Sequence, residues 1–217
     1  SGTTPGCTGK QSADGPAQNA AAAPVAKPDG KHNLLKNADF EDGSSLPWLT
    51  SFSEPAKGNA EVKKGALCLD IDAKGTNSWD AQLRHREMVI EQGHTYSVDF
   101  VAWASTPTAI RPKIGMSGPP YAEYWAARLE LGTAPQRFQG QFTMGKENDA
   151  TAEFAFHVGG SLVKSVPVTI CIDDLYLSDP QFAASAREKE ADIAKIAVNQ
   201  HGYVPSFKKI AVLASDA

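Results

Sequence analysis

One segment near the middle of the chain combines an indole ring with an amide and two guanidinium groups. Trp79 is followed by Gln82, Arg84 and Arg86, which occupy alternate positions around the apolar Leu83. Alternate side chains of a strand share a face, so the three polar groups should project together opposite Leu83, with Trp79 at their rim. An indole can stack on the C–H face of a sugar, and amide and guanidinium groups can bond to hydroxyl groups. The segment predicts a surface for a neutral polysaccharide; ordinary packing of Trp79 and a solvated arginine face are the alternatives.

A second aromatic group follows a turn rich in glycine and proline. Tyr121, Tyr124 and Trp125 crowd behind Pro119 and Pro120, in a sequence that is poor for a regular strand and typical of a loop. We expect this loop to fold over a cleft, with Tyr121 and Tyr124 as a second stacking platform. Either tyrosine could instead cap the hydrophobic core, and Trp125 is expected to be a core residue.

The aromatic and polar groups described above must be positioned by short segments in which apolar and polar residues alternate, separated by Gly, Pro, Asn and Asp. Between residues 33 and 177 this pattern is typical of an all-β sandwich. The predicted strands are 66–71, 95–103, 137–142, 153–158 and 168–172. With a period of two, the predicted buried residues are Leu67, Leu69, Ile71, Tyr96, Val98, Phe100, Phe154, Phe156 and Val158.

Two of the three cysteines, Cys68 and Cys171, lie within predicted strands on the faces opposite the apolar sets. Their thiols could meet if the two strands were neighbours in one sheet, and a disulfide would suit an exported protein. The alternative is two buried free thiols. Because the chain has no C-x-x-C pair, no zinc site is expected.

The composition excludes several classes of partner. The 217 residues have a net charge of -4, which gives no basic footprint for nucleic acid or for an anionic membrane surface. No apolar run reaches the roughly 18 residues of a membrane span. Residues 1–31 are rich in Gly, Pro, Ala, Ser and Gln and predict a disordered leader or linker, and the polar surroundings of Cys7 argue against a lipid anchor. We expect a secreted, monomeric bacterial protein with a neutral partner.

The motifs occur in an order that resembles carbohydrate-binding module family 4/9. They lie at residues 33–41, 65–67, 79–83, 93–100 and 172–177, so the resemblance covers about residues 31–179. It implies a jelly-roll β-sandwich with an open cleft along its concave sheet, which binds single chains of β-glucan or xylan. It also implies sugar contacts on the strand of Gln82, a polar cleft residue at His157 and, as in some members, a disulfide that matches Cys68 and Cys171. An isolated strand histidine could equally be a satisfied surface or core group.

The same resemblance implies a structural calcium ion, for which carboxylate and carbonyl oxygens are the usual ligands. The ligands would be the side chains of Glu41, Glu61 and Asp173 and the backbone carbonyls of Asp39 and Lys64. Asp174 is the alternative to Asp173. These acids could instead cap turns without a metal.

The last residues resemble a different module. Residues 196–211 match the pattern I-x-V-N-Q-x-G-Y-x-P-x-x-x-K-x-A, which opens the immunoglobulin-like domain that precedes the catalytic module of family 9 glycoside hydrolases. We therefore expect residues 196–217 to form the first strand or strands of a truncated immunoglobulin-like domain, after a connector with helical spacing at 180–195. The catalytic carboxylates would lie beyond Ala217.

We interpret the chain as a non-catalytic carbohydrate-binding module for soluble or amorphous β-1,4-glucan of the cellulose or mixed-linkage type. It would hold an appended family 9 cellulase near plant cell-wall polysaccharide by raising its effective concentration. The alternatives are a xylan-binding module, a structural spacer or adhesion module, and a jelly-roll glucan hydrolase. The sequence argues against the hydrolase, because the strand signature E-x-D-x-x-E is absent.

Overall fold

The computed structural model describes residues 32–182 and two short segments at 196–197 and 212–213. Residues 32–182 form a sandwich of two antiparallel sheets, which confirms the predicted all-β class. Sheet I contains β1 (Leu49–Phe52), β4 (Ala81–Ile90), β6 (Thr108–Gly115), β7 (Glu123–Ala126), β8 (Leu129–Leu131) and β10 (Asp149–His157). Sheet II contains β2 (Lys57–Lys63), β3 (Ala66–Ala73), β5 (Thr95–Ala104), β9 (Gln136–Thr143) and β11 (Val168–Ser178). None of the described helices is long and apolar enough to cross a membrane.

Aromatic rings join the inner faces of the two sheets. Sheet I has the order β1-β4-β10-β6-β7, with β8 also paired to β6, and sheet II has the order β2-β3-β11-β5-β9. The rings of Phe154 and Phe156 on β10 lie 4.6 Å apart, and Phe156 meets Phe100 of sheet II edge-on at 5.0 Å. Every residue of the alternating apolar sets predicted for β3, β5 and β10 is at most 1% exposed. Each such side chain contributes roughly 1.5–3 kcal/mol by leaving water.

Side-chain alternation along β4 and β10 separates this core from the outer face of sheet I. Leu83 is paired with Phe156 and faces inward. The neighbouring pairs, Gln82 with His157 and Arg84 with Ala155, therefore point outward. This arrangement agrees with the prediction that Gln82 and Arg84 share a face opposite Leu83.

Strand β6 lies beside β10 but is absent from the sequence prediction, because Pro112 stands in its middle. Proline has no N–H and is normally confined to edge strands or irregular positions. Here β6 pairs with β8 up to Ile110 and with β7 from Lys113 onward. Pro112 falls at the change of partner, where a missing donor breaks no ladder hydrogen bond, and its carbonyl accepts the N–H of Ala127 at 3.1 Å. Strands β1, β2, β7 and β8, which are short or polar, are also absent from the prediction.

The predicted disulfide between Cys68 and Cys171 is present. The two residues are directly paired across β3 and β11, so the alternative of two free thiols is wrong. The bridge lies on the outer face of sheet II, where Ala66 and Trp103 pack against it. It closes a sequence separation of 103 residues across the centre of the sheet.

Near the C-terminus, Ile196–Ala197 pairs antiparallel with Val212–Leu213 as strands β12 and β13. Both short strands lie in the region predicted to open an immunoglobulin-like domain, which stays a prediction. The predicted leader at 1–31, and the connector from residue 183 onward, lie outside the described residues.

Removing the disulfide should destabilise the sandwich strongly. A cross-link that closes a loop of about 100 residues stabilises by up to about 4–5 kcal/mol in the chain-entropy account, and measured values are usually about 2–4 kcal/mol. We expect the double substitution Cys68→Ala and Cys171→Ala to lower the Tm by roughly 5–15 °C. Thermal unfolding followed by circular dichroism measures this change, with Cys7→Ala as the control. An unchanged Tm would contradict a structural role for the bridge.

Candidate carbohydrate-binding site

Trp79 is carried by a tight turn rather than by the predicted strand. It is 54% exposed and lies in the 3-10 turn Ser78–Asp80, immediately before β4. Oδ2 of the buried Asp80 accepts the backbone N–H groups of Asn77 and Thr76, each at 2.8 Å. These bonds hold the pKa of Asp80 below its ordinary value. Asp80 therefore fixes the turn that presents the indole, a role the sequence analysis missed although Asn77 and Asp80 have capping-box spacing.

Two glycines at the end of β10 hold the same turn from behind. The N–H of Gly159 donates to the carbonyl of Ser78 at 2.9 Å, and that of Gly160 donates to the carbonyl of Lys74 at 2.7 Å. A Cβ at Gly160 would lie 2.7 Å from the carbonyl oxygen of Thr76, and its φ of +56° also favours glycine. The turn that carries Trp79 thus packs directly against the backbone of Gly159 and Gly160, where a side chain would clash.

His157 lies on the outer face beside this turn. It is 7% exposed, its ring centroid is 6.2 Å from that of Trp79, and its Nδ1 is 3.4 Å from the hydroxyl of Ser78. Burial, assisted by the charges of Lys113 and Arg111, lowers the pKa of His157 to about 4. The imidazole is therefore neutral near pH 7, and can both donate and accept hydrogen bonds.

Ion pairs between strands cover the remainder of the outer face. Buried Glu153 accepts a hydrogen bond from Arg86 Nε at 3.2 Å and forms an ion pair with Lys113, whose Nζ lies 3.2 Å from Oε1. Arg111 donates two bonds, of 2.7 and 2.6 Å, to the two oxygens of Glu123. This fork raises the pKa of Arg111 and lowers the pKa of Glu123. Apart from Arg86, the sequence analysis missed these residues, because the pairs depend on the register of β4, β10, β6 and β7.

The segment at 119–125 differs from the predicted loop. It forms a turn in which the N–H of Tyr121 donates to the carbonyl of Gly118 at 2.8 Å, and then enters β7. Tyr121 is 58% exposed and interacts electrostatically with Arg84, which places it beside the outer face of sheet I.

Tyr124, by contrast, packs against the hydrophobic core. Its hydroxyl donates to Asp149 at 2.8 Å, and burial raises the pKa of Tyr124 to about 12. These contacts match the alternative in which Tyr124 caps the core, and its part in a stacking platform with Tyr121 stays a prediction. Trp125 also packs against the core, as predicted.

The predicted calcium ligands lie on segments that approach one another. The N–H of Leu175 donates to the carbonyl of Ala38 at 2.9 Å, and Glu41 lies against Gly65, with Oε1 2.7 Å from the position of an added Cβ. These contacts bring the chain around Asp39 toward Asp173 and Asp174, and Glu41 toward the turn that contains Lys64. Glu61 instead forms an ion pair with Lys63, with Oε1 2.8 Å from Nζ. Asp174 contacts Arg137 at 3.2 Å, and Asp173 accepts the N–H of Asp174.

A different group, Glu91, His94 and Asp179, brings three possible metal-binding atoms within 4.8 Å of one another. Among the described residues it is the one such group of three. His94 Nδ1 lies 2.8 Å from Asp179, and this contact raises the pKa of His94. The close contact between His94 and Asp179 accounts for the cluster without a metal.

A groove of about 700 Å³ lies on the outer face of sheet II. Its lining includes Ser97, Asp99, Gln139 and Gln141. Asp99 is already engaged by Arg137 and Gln139, and the groove has no exposed aromatic ring among its described lining residues. Sugar binding needs apolar platforms as well as polar groups, so the face with Trp79 and Tyr121 is the stronger candidate.

A family profile described as a carbohydrate binding domain, CBM_4_9, matches residues 32–167. The chain belongs to this family. The membership confirms the interpretation of the chain as a carbohydrate-binding module of family 4/9. Cellulose 1,4-beta-cellobiosidase of Acetivibrio thermocellus is 35% identical over an alignment of 201 residues that covers 88% of this chain and 22% of that protein. Endoglucanase C of Cellulomonas fimi is 29% identical over an alignment of 195 residues that covers 87% of this chain and 17% of that protein. The chain thus spans about a fifth of the length of these curated relatives.

Solved structures share the fold of this family 4/9 module. One described as "CBM4 structure and function" has a TM-score of 0.58 and 24% identity, covering 66% of this chain and 98% of that chain. The second N-terminal cellulose-binding domain of Cellulomonas fimi β-1,4-glucanase C has a TM-score of 0.56 and 24% identity, covering 72% of this chain and all of that chain (100%). These similarities agree with the predicted β-sandwich.

The module should lose stability as the pH falls from about 6.5 to about 4. Burial lowers the pKa of both His85 and His157 to about 4 in the folded state, against 6.5 in an unfolded chain. Below pH 6.5 these two histidines therefore bind protons in the unfolded state but remain neutral in the folded state until the pH approaches 4. The loss should be on the order of 3 kcal/mol per histidine near pH 4. Urea unfolding at about pH 7.5, 5.5 and 4.5 measures it.

Two substitutions test the assignment of this pH dependence. His85→Gln should flatten the decline, because a buried titrating group is removed. His94→Gln should steepen it, because the raised pKa of His94 adds stability that is present below pH 6.5 and disappears as the pH rises through that pKa. A stability that does not change between pH 7.5 and 4.5 would contradict the burial of neutral histidines.

Proposed function

We propose that this module binds chains of β-1,4-glucan, of the cellulose or mixed-linkage type, on the outer face of sheet I. The proposal depends on one observation: two large aromatic rings, Trp79 and Tyr121, are 54% and 58% exposed beside a floor of polar side chains. Such rings leave water most favourably when they stack on an apolar surface, and the C–H face of a sugar provides one.

The polar floor supplies the second requirement for a carbohydrate. Gln82 offers an amide, Arg84 and Arg86 offer guanidinium donors, and His157 offers a neutral imidazole at neutral pH. Together they provide both donors and acceptors for sugar hydroxyl groups. A spacer or adhesion module would have no need for exposed aromatics beside such a floor.

Cellulose-type glucan is the first ligand to test, because the curated relatives are named as a cellulose 1,4-beta-cellobiosidase and an endoglucanase. Affinity should be modest, since a flexible glycan loses conformational freedom when it binds. Xylan is the competing ligand, and the comparison of polymers below decides between them.

We also propose that the module is part of a secreted bacterial cellulase. In this proposal an immunoglobulin-like domain begins at residue 196 and precedes a family 9 catalytic module. The resemblance of residues 196–211 to that domain supports the arrangement. The disulfide between Cys68 and Cys171 is also consistent with export.

A structural calcium ion is the proposed cofactor. Glu41 and Asp173 would hold it with the carbonyls of Asp39 and Lys64, while Glu61 would have to leave Lys63 to take part. The approach of residues 38, 41, 65 and 175 supports a site there, because an oxygen-rich junction of separate segments suits calcium. The ion would tie the first described segment to the turn between β2 and β3 and to β11.

Glycan binding should depend on both exposed aromatics. We expect the chain to be retarded in affinity electrophoresis through hydroxyethylcellulose or mixed-linkage β-glucan. Trp79→Ala or Tyr121→Ala should weaken binding at least about tenfold, or ~1.4 kcal/mol, because each removes a stacking surface.

Trp103→Ala is the matched control, since this tryptophan lies on sheet II against the disulfide and should leave binding intact. Preference for xylan over both glucans would identify a xylan-binding module. A folded chain that binds none of the polymers would overturn the proposal of a glycan cleft.

Calcium should raise the Tm if the proposed site exists. At about 1 mM Ca²⁺, within the range used by extracellular modules, we expect an increase that chelation reverses. Glu41→Gln should abolish the increase, because it removes a proposed ligand. Glu91→Gln should preserve it, because Glu91 belongs to the separate cluster with His94 and Asp179. If Glu91→Gln alone abolished the increase in Tm, the calcium site would have to be assigned to the cluster of Glu91, His94 and Asp179 instead.

A further inference from the structure

Charged side chains are concentrated on the outer face of sheet I. Four cationic side chains and two carboxylates of this face interact across β4, β6, β7 and β10: Arg84, Arg86, Arg111, Lys113, Glu123 and Glu153. Strand β4 also carries the exposed Glu87. His157 adds no charge near pH 7, because its pKa is about 4. A surface built only for neutral hydroxyl groups has no need of so many charged groups.

The two carboxylates are already used by other cations. Glu123 is held in the two-bond fork with Arg111, at 2.7 and 2.6 Å. Glu153 is shared between Arg86 and Lys113, each at 3.2 Å. Because Glu153 and Lys113 are each only 4% exposed, this pair is well shielded from water and salt.

Arg84 has no such partner among the described residues. Its Nε is buried and makes no hydrogen bond, and none of the ion pairs within residues 32–182 includes it. A buried donor without an acceptor is destabilising, and more so when the group is charged. Burial and the neighbouring Arg86 lower the pKa of Arg84, and the charge of Glu153, which forms its ion pairs with Arg86 and Lys113, only partly opposes them. An arginine nevertheless remains charged in proteins.

The position of Arg84 suits contact with a bound chain. Ala155 separates Arg84 from Lys113 in the strand register, so two cationic side chains flank one small residue at the centre of the sheet. Their backbones are two strand spacings, or roughly 10 Å, apart. Tyr121 is near enough to interact electrostatically with Arg84. A sugar substituent that points toward Ala155 would therefore meet a free guanidinium.

A carboxylate is the anion that this site fits best. The planar fork of a guanidinium matches the two oxygens of a carboxylate. One unpaired cation balances one negative charge, whereas a phosphate monoester carries nearly two. On a face whose exposed aromatics suit sugar rings, the matching group is the carboxylate of a uronic acid.

We propose that Arg84 makes this face prefer glycans that carry carboxylate groups, such as uronic acid substituents, over neutral polymers with the same backbone. The proposal rests on the proposed function, because it requires that sugar chains bind the outer face of sheet I. It adds a class of ligand that a neutral cellulose-type glucan does not represent.

The test compares polymers that differ only in charge. The full chain is run in affinity electrophoresis through glucuronoxylan, and through the same polymer after its carboxyl groups have been reduced to alcohols. A second pair is carboxymethylcellulose and hydroxyethylcellulose. We expect binding to the charged member of each pair to be at least about tenfold tighter at low salt, with a smaller ratio at about 0.5 M salt.

Variants then assign the preference to Arg84. Arg84→Gln should bring the ratio between charged and neutral polymers close to one. Arg84→Lys should keep part of it, because it retains the charge but loses the fork. Lys57→Gln removes the same charge from exposed strand β2 of sheet II and should leave the ratio unchanged. Circular dichroism establishes that each variant is folded.

The outcomes separate this inference from the proposed function. Equal binding to both members of each pair, still lost in Trp79→Ala, would overturn the carboxylate preference and leave glycan binding in place. A preference that survives Arg84→Gln would overturn the role of Arg84. Absence of binding to every polymer would overturn glycan binding itself, and this inference with it.

Discussion

The register between β10 and its two neighbours is the constraint on which the rest of this module depends. Phe154 and Phe156 must face inward to meet Phe100 of the other sheet, and this requirement fixes which residues of β10 face outward. A slip of one residue would place the rings in water and bury Glu153 and Ala155 in the core. Because β4 and β6 follow the same register, the aromatic core determines the whole row of polar groups on the opposite face.

Residues with strict alternation could be predicted from the sequence. Leu67, Leu69 and Ile71, like the alternating sets of β5 and β10, lie in a core where a period of two and burial agree. The side-chain faces of Cys68 and Cys171 made their pairing a plausible prediction, which the resemblance to family 4/9 strengthened, although their strands are far apart in sequence. Local pattern is sufficient where one face of a strand is uniformly apolar.

Other parts of the site could not be predicted, because their signals are not local. Pro112 interrupts the pattern of β6, and only the change of partner strand at that residue explains why it is tolerated. Because the sequence analysis did not identify β6, it could not predict which face of the sheet Arg111 and Lys113 occupy. Tyr124 illustrates a different limit: an aromatic next to a turn can face either way, and its bond to Asp149 depends on a distant strand.

The turn that presents Trp79 is held by backbone groups and by the carboxylate of Asp80, which accepts hydrogen bonds from the N–H groups of Thr76 and Asn77. The charged floor is held by a separate set of side-chain pairs between strands. The hydroxyl of Ser78 and Nδ1 of His157 link the turn to the floor at 3.4 Å, but none of the ion pairs of the floor includes a residue of the turn. Changes in the charged pairs need not, for this reason, disturb the geometry of the turn. Ligand choice could therefore diversify by exchange of floor residues while the indole keeps its place, which makes this face a suitable scaffold for randomised libraries that seek new glycan specificities.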